Sequence, residues 1–154
     1  MRIGAIDPGT RESALVVWDG AVVREQCILP NAELLALCRT GIWCDLLVVE
    51  QVESYGMAVG REVFETVWWA GRFVEAAENR GGKSRMVPRR VVKLHLCQSM
   101  RAKDGNIRQA LIDRFGPPGS KNHQGPLYGI SSHKWAALAL AVTVLDETRS
   151  QVAA

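Results

Sequence analysis

The chain has 154 residues, 47% apolar and 23% charged, with a formal net charge of +3 at pH 7. That is enough for one domain with a sizeable core, and no stretch reaches the roughly 18 to 20 uncharged apolar residues of a membrane span, so no membrane partner is expected. Asp7 interrupts what would have to be a signal-peptide core, and Cys27, Cys38, Cys44 and Cys97 show neither CxxC nor zinc-finger spacing. The expectation is therefore a cytoplasmic protein with reduced thiols.

Arg2 to Ile6 is a short apolar-rich run stopped by Asp7-Pro8-Gly9, which predicts a strand ending in a turn. Ser13 to Trp18 and Ala21 to Leu29, joined by Asp19-Gly20, predict a hairpin, so the first three strands should be antiparallel neighbours. Pro30-Asn31 opens a helix with Asn31 as its expected cap and Leu34, Leu35, Leu37 and Cys38 on its apolar side. Leu46 to Val49 is apolar throughout, as a strand buried on both faces requires. Arg61 to Asn79 is the longest helical segment. Val63, Val67, Ala70, Val74 and Ala77 form its expected core stripe, with Phe64, Trp68 and Gly71 in a second strip beside it. That second strip suits either a second protomer or a covering loop.

Ser84 to Val87 predicts a strand, and Pro88 the first residue of a helix carrying Val91, Val92 and Leu94. Lys103 or Asp104 opens a helix through Phe115, with Ile107, Ala110, Leu111 and Phe115 on one face. Gly116-Pro117-Pro118-Gly119 stops it, and the Gly, Pro, Asn and Ser content up to Gly129 predicts a mobile loop. Ser131 or Ser132 should cap a last helix, rich in Ala and Leu to Leu145. The strands and helices alternate as in an α/β domain over residues 1–148, with 149–154 as a tail.

The small net charge hides an asymmetry. Arg80 to Lys121 carries eleven Lys/Arg against two acids (Asp104 and Asp113), a local +9, while eight basic residues face fourteen acids elsewhere, a balance of −6. Such a division favours a surface that meets a polyanion. Arg89, Arg90, Lys93, Arg101, Lys103 and Arg108 are the candidate phosphate contacts, with Arg89 and Lys93 one helical turn apart on one face.

Two acids stand out by position. Asp7 closes the first strand and Glu50 directly follows the run Leu46 to Val49. Carboxylates at the ends of adjacent central strands converge on one edge of a sheet and repel, unless a divalent cation joins them or one takes a proton. Hard oxygen donors suit Mg²⁺ or Mn²⁺, and two such ions about 4 Å apart can activate water against a phosphodiester. An isolated Asp-Pro-Gly is usually a plain turn. The pair, with a basic segment downstream, favours a site.

Ile6-Asp7-Pro8-Gly9-Thr10 resembles the first motif of RuvC-type Holliday junction resolvases, and Val49-Glu50-Gln51-Val52 is similar to their second. The long helix, Val92-Lys93, and Ala102-Lys103-Asp104-Gly105-Asn106-Ile107 come in the family's order and approximate spacing, so the resemblance spans Met1 to about Glu147. Its character is that of the short, phage-type members. It implies an RNase H-like mixed five-stranded sheet flanked by helices. It also implies a homodimer that cuts symmetric strands of four-way DNA with Mg²⁺, Mn²⁺ able to substitute. Asp7 and Glu50 would be metal ligands. Tyr55, with Met57, would lie just past the second motif, where an aromatic ring can wedge against unstacked bases or simply pack a loop.

The family's last helix bears Asp or His followed three residues later by Asp; here the positions read His133 and Ala136. His133 would serve as a metal ligand or as acceptor of a proton from the attacking water. Ala136 supplies no ligand. It is an engineered inactivation, or the mark of a lineage in which another acid substitutes, or the mark of a junction-binding protein that does not cut. Asp104 is the candidate substitute catalytic acid, although a helix N-terminal role explains it equally well. His95 and His123 receive no role. A sugar-kinase or actin-type phosphotransferase also opens on a loop like Asp7 to Ser13, but would need a second similar half that the chain lacks.

Overall fold

Alternation along the strands sorts the core into two layers. Ile3 and Ala5 of β1 (Ile3–Asp7), Ala14, Val16 and Trp18 of β2 (Glu12–Trp18), and Val48 of β4 (Leu46–Gln51) enter one layer. Ile6, Leu15, Val17, Leu47 and Val49 enter the other. With β3 (Val23–Pro30) and β5 (Ser84–Pro88) these strands make one sheet in the order β3-β2-β1-β4-β5 in the computed structural model, which describes residues 1–153. β1, β2 and β3 pair antiparallel, while β4 runs parallel to β1 and β5 parallel to β4. The mixed sheet and its antiparallel first half are as expected.

Helix α5 (Lys134–Ala153) fills the first layer, packed on β1, β2 and β4 with α3 (Arg89–Cys97) and α4 (Asp104–Phe115) against its outer side. Every residue from Ala137 to Leu145 is buried, which is why its sequence is apolar all round rather than striped. It runs past the apolar segment to 153. α1 (Asn31–Thr40) and α2 (Arg61–Asn79) cover the opposite face.

The structure corrects several local expectations. Asn31 does not cap α1; Pro30 precedes the helix, and Asn31 is its buried first residue. Its side-chain amide donates to the Gly9 carbonyl at 2.9 Å and accepts from the Ser13 hydroxyl at 2.6 Å. Leu37 is exposed, since Leu34, Leu35 and Cys38 already complete the buried stripe. On α2 the buried residues are Ala70, Phe73, Ala76 and Ala77, so the core stripe is rotated toward Phe73 and leaves Val67 outside with Phe64 and Trp68. Pro88 ends β5 and caps α3 rather than starting it, whereas α4 opens where expected, with Lys103 as its cap and Asp104 its first residue. The stretch expected as a loop carries a small hairpin, β6 (Gly119–Ser120) with β7 (His123–Gln124). Leu127, fully buried in the α5 layer, anchors the segment between this hairpin and α5.

Candidate active site

The strand period decides where the two acids point. Ile3, Ala5 and Asp7 share one face of β1, and Val48 and Glu50 share the same face of β4. Because Ile6 aligns with Val49 in the parallel pair, Asp7 and Glu50 come side by side at its end, on the α5 side. Gly9 makes the turn after Asp7 possible: a Cβ there would stand 2.4 Å from the Glu12 carbonyl oxygen. The amide of Gly9 donates to the Ser13 hydroxyl at 3.1 Å, so Ser13 and Asn31 together hold the loop that carries Asp7.

Asp7, Glu50, Asp104, Arg89, His133 and Ala136 all line one cavity of about 400 Å³, with Trp135 at its wall. Asp7 comes from β1, Glu50 from β4, Asp104 from the start of α4, and His133 and Ala136 from the start of α5. Nδ1 of His133 lies 3.5 Å from Asp7 Oδ2, with most of the imidazole open to solvent. The structure thus brings together all four sequence-derived catalytic candidates. Asp146 and Glu147 are spent elsewhere, Asp146 on Arg114 and His95, Glu147 on Arg85.

Arg89 is placed differently from expectation. Its Nη1 donates to Glu50 Oε2 at 2.9 Å and its Nη2 to Asp104 Oδ1, so it is a part of the cavity rather than a free arm on the surface. No hydrophobic period or acid spacing marks such an arginine. Its position just after the Ser84 to Val87 strand run is the one sequence signal that could have found it. Arg108 is also engaged, its guanidinium 5.0 Å from the centre of the Trp135 ring, and Arg90 pairs with Glu53 at 3.0 Å. Lys93, Arg90, Tyr55 and Met100 line an adjoining groove of about 440 Å³ that shares Glu50 and Arg89 with the first cavity. Arg101 and Lys103 are exposed on the approach to α4.

Burial dominates the electrostatics. It pushes the Glu50 carboxyl up to about 7, with Asp7 adding to the rise and Arg89 opposing it. Asp7 is also raised by burial, against the pull of Arg89 and His133. Burial works against the charge of Arg89, yet Glu50 and Asp104 outweigh it and hold the guanidinium above its ordinary range. Two largely buried carboxylates side by side therefore hold a proton near neutrality unless more positive charge arrives.

The donor set, carboxylate oxygens with one imidazole, fits a hard divalent ion. Among the described residues no three His, Cys, Asp or Glu side chains form a ready cage, and Arg89 already engages Glu50 and Asp104. Mg²⁺ does not require such a cage: it keeps waters and binds through one or two carboxylates plus substrate phosphates. Asp7 and Glu50, with His133 beside them, are the residues that fit it.

A mixed sheet of this order, with acids at the ends of β1 and β4 facing the start of the last helix, is the RNase H-like architecture. Within it the chain has the RuvC fold. A Thermus thermophilus RuvC structure superposes with a TM-score of 0.73 and 19% identity, over 98% of this chain and 97% of that one. The T. thermophilus RuvC structure in complex with Holliday junction substrate gives 0.72 and 21%, over 98% and 96%. No family model and no curated protein sequence matches the chain. At these identities the likeness is one of fold.

Proposed function

We propose that the chain is a structure-selective endodeoxyribonuclease that resolves Holliday junctions and other branched DNA by Mg²⁺-dependent phosphodiester hydrolysis, with Mn²⁺ able to substitute. One observation carries this reading. Asp7 and Glu50, from adjacent parallel strands, open on the same side into one cavity with His133, next to a groove bearing Arg90, Lys93 and Tyr55. The RuvC fold over nearly the whole chain supports it.

Asp7 and Glu50 would hold the metal, which when bound supplies a polarised water and charge neutralisation at the phosphate. The chain's own residues do the rest. In this reading the exposed imidazole of His133, beside Asp7, takes the proton released as the water oxygen bonds to phosphorus, while the bridging P–O bond breaks and the leaving sugar oxygen takes a proton from solvent. Arg90, Lys93, Arg101 and Lys103 hold flanking phosphates, which supplies affinity without reading sequence. Tyr55, 65% exposed at the groove, can lie against bases unstacked at a branch point. No described helix is long and apolar enough to cross a membrane.

Symmetric cutting needs two sites, and α2 offers the contact. Phe64, Val67 and Trp68 are exposed on its outer face, and the space beside Gly71 is open. We assign this strip to a homodimer.

Ala136 favours a second reading, a junction-binding protein that does not cut, because it lines the cavity and offers no donor. Incubation with a synthetic four-way junction and with linear duplex of the same sequence separates the readings. The nuclease binds the junction in preference and nicks it with Mg²⁺ but not with EDTA. Junction binding without nicking, with nicking gained by Ala136→Asp, identifies the binding protein. No preference for branched DNA eliminates both.

A further inference from the structure

We infer that Arg89 is a built-in cation of this site: its guanidinium takes the place of a second divalent ion between Glu50 and Asp104, so each chain binds one ion, held by Asp7 and Glu50. The inference rests on the metal-dependent reading above and deepens it.

The geometry is specific. Arg89 is the first residue of α3, directly behind β5, whose Val87 aligns with Glu50. One guanidinium nitrogen takes Glu50 at 2.9 Å and another takes Asp104, so a single planar group bridges acids from a strand end and from a helix start. Its side chain is only 28% exposed, unlike an arginine kept for DNA at the surface. A guanidinium cannot lose its proton at any ordinary pH, so the charge it brings is permanent.

Charge balance then sets the stoichiometry. Three carboxylates (Asp7, Glu50, Asp104) and one guanidinium line the cavity, a net −2 with His133 neutral. One divalent ion neutralises it. A carboxylate at 136 and an uncharged group at 89 would make the same cavity −4, which calls for two ions. Ala136 and Arg89 thus shift the charge in the same direction, and the alanine becomes part of a different charge plan rather than a plain loss.

The test counts ions in the absence of DNA, with Mn²⁺ as the probe, by titration calorimetry and by electron paramagnetic resonance at pH 8. The expected result is one Mn²⁺ per chain for the natural sequence and for Arg89→Lys, and two for the Arg89→Gln/Ala136→Asp double variant. Arg89→Gln alone, a milder change, should tighten binding of the first ion by roughly tenfold or more, since a neighbouring positive charge is gone. Two ions on the natural chain, one on a folded double variant, or unchanged affinity in Arg89→Gln overturns the inference while leaving the nuclease reading intact. No Mn²⁺ on any variant overturns both.

Discussion

Replacing Glu50 by Gln in metal-free protein isolates the electrostatic cost of seating two acids side by side. Burial, with Asp7, lifts the Glu50 carboxyl from an ordinary 4.5 to about 7 in the folded chain, although Arg89 pulls it down. A raised carboxylate means that the fold binds this proton more tightly than the unfolded chain does. The stabilising contribution is therefore complete below about pH 4.5 and is lost as pH rises through about 7. At about 1.4 kcal/mol for each pH unit across that window, the loss is about 3 kcal/mol. For a domain of this size it corresponds to roughly 6 to 12 °C in Tm.

Thermal unfolding monitored by circular dichroism from pH 5 to 9 in EDTA reads this directly. The natural chain should lose stability between pH 5 and 8 by more than Glu50→Gln does. The variant, neutral at 50 throughout, should match it near pH 5 and exceed it at pH 8. Adding Mg²⁺ at pH 8 should restore the natural chain and leave Glu50→Gln almost unchanged. Equal pH profiles for the two proteins, or a variant less stable at both ends, would refute the idea that Glu50 is buried beside another acid.

The remaining expectations concern the groove, the dimer and the loop. Lys93→Ala should weaken junction binding and lower the slope of log affinity against log salt by roughly 1, measured by fluorescence anisotropy at several salt concentrations; an unchanged slope removes Lys93 from the phosphate path. Trp68→Glu, on the exposed strip of α2, should give a monomer in analytical ultracentrifugation with the fold retained; a persistent dimer places the interface elsewhere. Asn31→Ala should cost about 1 to 3 kcal/mol in urea unfolding, because the buried Ser13 hydroxyl and Gly9 carbonyl lose their partner, and should slow cleavage by freeing the Asp7 loop; normal stability would contradict those bonds.

The parts of the fold that obey a single local rule were legible in the sequence. Asp19-Gly20 marked the hairpin, although its connection takes four residues and β3 starts at Val23 rather than Ala21; the unbroken run at Leu46 set the central strand, and the long helix lies at Arg61–Asn79 as read. The acid pair was legible because strand ends and a period of two fix both its place and its face. Rotation of α2 was not, since Val, Phe and Trp surround that helix and only the sheet beneath decides that Phe73 goes inward. Asn31 reads locally as a cap; what it holds lies 22 residues away at Gly9. Arg89 sits in a basic stretch that no local pattern divides, and only the alignment of β5 beside β4 turns it toward Glu50. Tertiary partners, not local pattern, decided each of these.

In the proposed nuclease the carboxylates at 7 and 50 carry the chemistry rather than the architecture. Asp7→Asn, compared with the natural chain on a four-way junction in Mg²⁺, tests it most directly, with binding and cleavage measured on the same samples. The expected result is junction affinity within about twofold and cleavage reduced by roughly a thousandfold or more. Cleavage at the natural rate by Asp7→Asn would contradict it.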